Sequence, residues 1–515
     1  MSTKAEEPDG ATGTKRPTAR IKSRDRSAAG GDTAVASAVA VAAAAPPSRS
    51  PQPPQPSAPS RPRVAAATAI DVDTGRMWCA AMATVHATAM RLTAGALGRT
   101  PWLEVKCDLA EHLAEDAGHA DLLRRRLAGL RDDGRGAEDC VRRATAAMLP
   151  LDAAPDALHF LVGMYGRVRP MMLEAVRRRL RRIDALADAP TARALRQIAD
   201  DLHRQLLWGR RTLRRLRDSS DAVAAAFPAA ERWADAFAES LRSAGGLPGL
   251  PTGPQVDPTV PADGNAFPRK PLTEPVLDER FSVLPAGEAA VGSGSPAASA
   301  ASAASAASAA SAASAASAAS ARAPRNRVER VHSHMHDRLV GELQCVEVFA
   351  RNIYEFPEAP FDYHLGLARC AWDEARHTLM FAGELRRLGG RLGDWPVRFD
   401  FYRGVTAGAT PLERAVLLNC HAERDRMRAI DRDRRLFAEM DEDACALHRD
   451  YELADEVEHV RFGDRWARLF AAGDESRLAA VEAALRDRGL LPAHPDAAPA
   501  PMPVRLSDGP RGLSA

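Results

Sequence analysis

Two short motifs of one form, Asp373-Glu374-Ala375-Arg376-His377 and Asp455-Glu456-Val457-Glu458-His459, constrain this chain more than any other feature. Both lie inside long stretches of helical periodicity, where positions three apart share a face. Each therefore offers one carboxylate and one imidazole to a common point.

Depth along a helical bundle tests whether the motifs belong together. In two antiparallel helices joined by a tight turn, facing residues lie equally far from the turn, so the midpoint of their numbers falls in it. The midpoint of Glu342 and Glu374 is residue 358, inside the breaker run Phe356-Pro357-Glu358-Ala359-Pro360. That of Glu423 and Glu456 falls between Glu439 and Met440, where helical patterning also breaks. Each pair of helices thus sets a lone glutamate level with a Glu-x-x-His pair, about 20 Å from its turn at ~1.5 Å per residue. Glu347, the other acid on the first helix, would place the turn inside the start of the second helix.

The periodicity predicts helices over about 328 to 355, 361 to 388, 411 to 440 and 443 to 470. Gly389-Gly390 ends the second, and Pro411 sits in the first turn of the third. Between the two hairpins, Gly389 to Thr410 is long enough to run the length of a bundle. A single long crossover between two helical hairpins is the topology of ferritin-like four-helix bundles.

Four carboxylates in such a core, Glu342, Glu374, Glu423 and Glu456, would carry a charge that a low-dielectric interior does not tolerate alone. Two divalent cations neutralise it. With His377 and His459 the set is mixed oxygen and nitrogen, which suits two iron ions, with manganese as the alternative. Six ligands for two ions leave coordination positions open. Asp373 and Asp455, each preceding a motif glutamate, are placed to accept the second N–H of a ligand histidine, across the hairpins. The competing reading is a solvated face in which these acids pair with Arg369, Arg376, Arg424 and Arg461.

The remaining composition narrows the class. A net charge of +2 over 515 residues gives no global field toward nucleic acid or membrane. Seven scattered cysteines form no C-x-x-C pair, which argues against a disulfide framework or an iron–sulfur set and fits a cytoplasmic protein. No apolar run is long enough for a membrane helix. Only five of the 70 basic residues are lysine, so arginine clusters reflect a bias in usage, and Arg177-Arg178-Arg179-Leu180-Arg181-Arg182 reads as a solvated helix face. The expected domains are a disordered leader (1–70), a helical domain (71–245), a Pro-rich and Ser-Ala-Ala linker (246–327), the bundle (328–490) and a disordered tail (491–515).

The bundle resembles the DUF455 family of ferritin-like proteins. The matching stretches are Gly341-Glu342-Leu343-Gln344-Cys345-Val346-Glu347, Trp372-Asp373-Glu374-Ala375-Arg376-His377, Gly393-Asp394-Trp395-Pro396, His421-Ala422-Glu423-Arg424 and Asp455 to Trp466. After Glu423 the family's usual run is replaced by Asp425-Arg426-Met427-Arg428. The resemblance implies a di-iron carboxylate bundle. Where radical-storing relatives in the wider superfamily carry a tyrosine, one turn past the first motif histidine, this chain has Phe381.

Residues 71–245 read as roughly four helices, broken at Gly98 to Pro101, Gly134 to Gly136, Pro150 to Pro155 and Pro190, and as a worn copy of the same unit. Asp116-Ala117-Gly118-His119 aligns with Glu374 to His377, while Leu202 and Gln205 stand where Glu456 and His459 do. No carboxylate near His86 corresponds to Glu342, so this half is expected to hold no metal. His332, His334 and His336 alternate and point to different helix faces, which disfavours a third site.

The expected fold class is all-α. The expected activity is that of an O2-activating, hydroxylase-like non-haem di-iron oxidoreductase, with its catalytic residues and its small-molecule or RNA substrate unspecified. Electrons would come from a separate donor, since no dinucleotide fingerprint occurs. A ferroxidase or peroxide-scavenging protein, and an interaction protein with a structural metal, are the alternatives. Homo-oligomerisation is left open.

Overall fold

The computed structural model describes residues 71–131, 138–248, 271–283, 326–439 and 442–492. The expected leader, the Ser-Ala-Ala repeat and nearly all of the expected tail lie outside these residues, as does the break at Gly134 to Gly136. The chain is all-α. Among the described residues there is no strand, and one isolated bridge joins Val283 to Val397. No described helix is long and apolar enough to cross a membrane.

Helices α1 (Val72–Leu97) and α2 (Leu103–Gly129) form one hairpin, and α8 (Arg327–Glu355) and α9 (Phe361–Arg387) another. The two hairpins pack on each other, α2 against α9 and α1 against α8. Between α2 and α6 (Ala189–Arg217) in sequence come α3 (Glu138–Met148), a 3-10 turn, α4 (Ala157–Gly163), a π-helical turn (Met164–Val168) and α5 (Arg169–Arg182). After α6, helix α7 (Asp221–Ser243) packs on α4. The C-terminal half continues with α10 (Asp400–Thr406) in the crossover and α11 (Pro411–Ala415). A second π-helical turn (Val416–Ala422) follows, then α12 (Glu423–Ala438), α13 (Asp443–Phe470) and α14 (Glu475–Asp487).

Local chemistry sets several of the helix ends around the predicted site. Asn326 caps α8 by accepting from the Glu329 N–H. Thr410 caps α11 by accepting from the Glu413 N–H, and the Glu413 carboxylate accepts in return from Ala409 N–H at 2.9 Å. Helix α9 closes on Gly389 at φ +87°, with Gly390 N–H donating to Leu385 C=O at 2.9 Å. Helix α13 spans the predicted 443 to 470.

Two differences from the sequence reading have a physical cause. The N-terminal half has more pieces than four because α3 and α7 add to the bundle, and because its third long helix, like that of the C-terminal half, is interrupted by a π turn. A π turn inserts one residue into the helical repeat, so the apolar stripe steps sideways and the period no longer marks a single helix. The second difference concerns residues 271–283, inside the stretch read as linker. They pack on both halves: Val276 N–H donates to Gly98 C=O at 2.8 Å, and Val397 N–H donates to Ser282 C=O at 2.8 Å.

A buried ion pair ties the halves together. Lys106 of α2 meets Glu347 of α8, each 1% exposed, and the same ammonium donates to Val276 C=O at 2.7 Å. Glu347 therefore faces the N-terminal half.

Candidate metal centre

Helix positions bring all six expected ligands to one place. Glu342 comes from α8, Glu374 and His377 from α9, Glu423 from the first residue of α12, and Glu456 and His459 from α13. All are buried. They form two overlapping groups, Glu342 with Glu374, His377 and Glu456, and Glu374 with Glu423, Glu456 and His459. Within each group one donor atom per residue lies within 4.8 Å of the others. Glu374 and Glu456 belong to both groups.

The π turn ahead of Glu423 brings that residue into the group. Helix α13 lies unusually close to it at Gly463, where a Cβ would come within 2.1 Å of the Asn419 Cβ. The Asn419 amide donates to His459 C=O at 3.3 Å. Glycine at 463 thus allows α13 to reach the distorted turn.

Both histidines turn Nδ1 toward the carboxylates and Nε2 away. His377 Nδ1 is 3.4 Å from Glu374 Oε2 and 3.9 Å from both Glu342 and Glu456. His459 Nδ1 is 3.0 Å from Glu374 Oε1 and 3.2 Å from Glu456 Oε2. Behind them, His377 Nε2 is 3.2 Å from Asp455, and His459 Nε2 is 3.6 Å from Asp373. Each aspartate thus backs the histidine of the opposite motif. Arg376 ties the two aspartates together, pairing with Asp373 and, at 2.7 Å, with Asp455. Arg369 also pairs with Asp373, while Arg424 pairs with Asp464 and Arg461 with Glu458. Two arginines of the solvated-face reading, Arg369 and Arg376, thus do hold Asp373 and Asp455, while the four arginines pair with none of the glutamates of the cluster.

The electrostatics describe a place short of positive charge. Burial, the Glu374 charge and the nearby Glu452 raise the Glu342 carboxyl well above its ordinary range, against the lowering pull of Arg426. Burial and the neighbouring Glu456 do the same to Glu423. Burial opposes charge on His377, but the Glu374 carboxylate outweighs it and the imidazole is raised well above its ordinary value. Both oxygens of Glu374, one each of Glu423 and Glu456, and Nδ1 of His377 are buried without a hydrogen-bond partner. Buried polar atoms are rarely left so, and several converging here fit a divalent ion pair as their missing partner.

The sequence reading missed three residues at the edge of this group. Arg426 on α12 pairs with Glu342 at 2.5 Å and with Glu452, and Arg449 lies 3.1 Å from Glu452 and over the Phe381 ring at 3.7 Å. Glu452 precedes Glu456 by one helical turn, a spacing that could have flagged it. Arg426 falls in the run that departs from the family's pattern after Glu423, but nothing marked Arg449, given how common arginine is here. The histidines of α8 go separate ways: His332 to Leu388 C=O, His334 to Asp433, and His336 Nε2 accepting from Gly393 N–H.

Residues 280–485 match the family DUF455, a protein of unknown function. The DUF455 stretch contains all six clustered residues together with Asp373 and Asp455, and excludes α1 to α7. No curated protein and no solved structure matches the chain.

Proposed function

We propose that the DUF455 stretch forms a ferritin-like di-metal bundle and that the protein is a non-haem di-iron oxidoreductase of the O2-activating, hydroxylase-like kind. The observation that carries this reading is the pair of four-residue groups sharing Glu374 and Glu456, with their buried donor atoms left unpartnered. Glu342, Glu374, His377, Glu423, Glu456 and His459 would hold two iron ions, with manganese the other metal suited to this donor set. When bound, the metal pair supplies redox chemistry toward dioxygen.

The chain's own residues set the conditions for that chemistry. Asp455, hydrogen-bonded to His377 Nε2, holds that imidazole with Nδ1 directed inward, and Asp373 lies 3.6 Å behind His459 Nε2. Phe381, buried one turn after His377 and covered by Arg449, offers no phenol to oxidise. Arg426 is within reach of Glu342 and can hold that carboxylate when it is not otherwise engaged. Electrons would come from a separate reductase.

Metal analysis of the purified full chain, followed by Fe(II) and O2 optical titration, tests the proposal. About two metal ions per chain are expected, with a large loss in Glu374→Ala and O2 consumption that responds to a reductase. Fewer than about one metal per chain, unchanged in Glu374→Ala, would refute it. Ferric mineral formed from Fe(II) alone would move the assignment to a ferroxidase, and a redox-silent bound metal to a structural site.

A further inference from the structure

The N-terminal helices repeat the architecture of the metal centre element by element. Helix α1 packs on α2 as α8 does on α9, α6 on α2 as α13 on α9, and α5 on α6 as α12 on α13. In each half the third long helix carries a π turn, and the turn ends immediately before one residue: Arg169 in the first half, Glu423 in the second. In each half a glycine, of α6 in the first and α13 in the second, presses on that turn. A Cβ at Gly209 would lie 2.6 Å from Tyr165, as one at Gly463 would lie 2.1 Å from Asn419. Tyr165 and Asn419 both stand four residues before the residue that follows the turn.

The outer polar contacts repeat as well. His119 Nε2 is 2.9 Å from Asp201, where His377 Nε2 is 3.2 Å from Asp455. Gln205 donates to Glu115 at 2.6 Å, in the place where His459 faces Asp373. Arg204 joins Glu115 and Asp201 at 2.8 and 2.5 Å, as Arg376 joins Asp373 and Asp455. His86 contacts Asp116 at 2.9 Å from the first helix, which makes it the counterpart of Glu342 that a search for carboxylates could not find.

What changes is the inside. Leu202 replaces Glu456, and Asp116 is left as the one inner carboxylate. Arg169 occupies the place of Glu423, and its guanidinium grips both oxygens of Asp116, at 2.6 and 2.5 Å, with both residues fully buried. One fixed positive charge thus balances one negative charge. His86 is held neutral by burial, its pKa lowered to about 4. Yet His86 Nε2 and His119 Nδ1 are buried with no hydrogen-bond partner. One ring nitrogen of each histidine and an oxygen of Asp116 lie within 4.8 Å of one another, a set of two imidazoles and one carboxylate.

We propose that residues 72–217 are an internal copy of the DUF455 bundle in which the Arg169 guanidinium stands in for a metal ion, closing a latent site for one divalent transition metal formed by His86, Asp116 and His119. The comparison rests on the metal reading of the C-terminal centre. Arg169 closes the site in two ways: it takes both carboxylate oxygens, and its charge repels a second cation at short range.

Co(II) titration of the full chain, read by visible absorption and by metal content after desalting, tests this. Arg169→Ala is expected to bind one Co(II) per chain more than the unsubstituted protein, and Arg169→Ala/His119→Ala is expected to lose that gain. Arg169→Gln, which removes the charge and keeps a polar chain, serves if the alanine variant does not fold. His119→Ala alone should leave the metal content of the chain unchanged, a result independent of any Arg169 variant. A folded Arg169 variant with no added Co(II), or metal lost in His119→Ala alone, overturns the proposal. If instead the C-terminal reading is wrong, the unsubstituted chain binds no Co(II) while Arg169→Ala still gains one.

Discussion

Lys106→Met removes the buried ammonium that joins α2, α8 and the 271–283 segment while keeping most of its aliphatic length. Lys106 and Glu347 are each 1% exposed, and the second oxygen of Glu347 already lacks a partner. The substitution therefore leaves a carboxylate in the interior with nothing to neutralise it, a change that costs about 3–5 kcal/mol in buried pairs. Little of this is a cavity term, because methionine refills most of the volume. Burial already raises the Glu347 carboxyl, against the lowering pull of Lys106. Without Lys106 the carboxyl rises further and takes up a proton as pH falls toward its ordinary value of 4.5. A group with a raised folded pKa loses stability as pH rises above its unfolded value, so the penalty in Lys106→Met is largest at pH 8 and shrinks by about 1.4 kcal/mol per pH unit between the Glu347 pKa of the variant and the lower one of the unsubstituted chain. Urea unfolding followed by far-UV circular dichroism at pH 5 and pH 8 measures this. The double variant Lys106→Met/Glu347→Leu should return to within about 1 kcal/mol of the unsubstituted chain at both pH values, because an apolar pair replaces a charged one. A loss below about 1 kcal/mol at pH 8, or one that does not change with pH, would refute the reasoning.

Asp455→Ala removes the group behind His377 Nε2 and frees Arg376, so metal affinity should fall by about 10- to 100-fold, measured by competition with a chromophoric chelator; an unchanged affinity would dismiss the positioning role. In the metal-stripped chain, the raised pKa values of Glu342, Glu423, His377 and His459 all favour the protonated forms. Their stability is present at low pH and is lost as pH rises, from 4.5 upward for the glutamates and from 6.5 upward for the histidines, whereas the lowered Glu374 acts in the opposite sense only below 4.5. The thermal midpoint of the stripped chain should therefore fall between pH 5 and pH 8, and added Fe(II) or Mn(II) should reverse that slope; a rising midpoint without metal would contradict the arrangement of charges.

The parts of this molecule that obey one unbroken period could be read from sequence. Helix α13 has no interruption, and its ends match those expected. The clustering of Glu342 with Glu374, and of Glu423 with Glu456, followed from turn positions alone, because hairpin geometry fixes which residues lie level. The third helices were harder, since a π turn leaves no mark in residue type and only shifts the stripe. The contacts of Arg426, Arg449 and Arg169 were invisible for another reason. In a chain so rich in arginine, nothing distinguishes a buried guanidinium from a solvated one until packing removes the water. His86 went unrecognised because the search at that position was for a carboxylate, and an imidazole now fills the place.

Arg426 stands one turn past Glu423 and grips Glu342, whereas Arg169 stands in Glu423's own place and grips Asp116. The kind of charge that fills one core is thus already resident at the edge of the other. After a duplication, a copy that keeps a guanidinium within reach of its acids can shed its ions gradually, without passing through a bare negative interior that would unfold it. If the C-terminal centre holds metal as proposed, a copied bundle of this kind would lose its ions without any step that leaves its acids unbalanced.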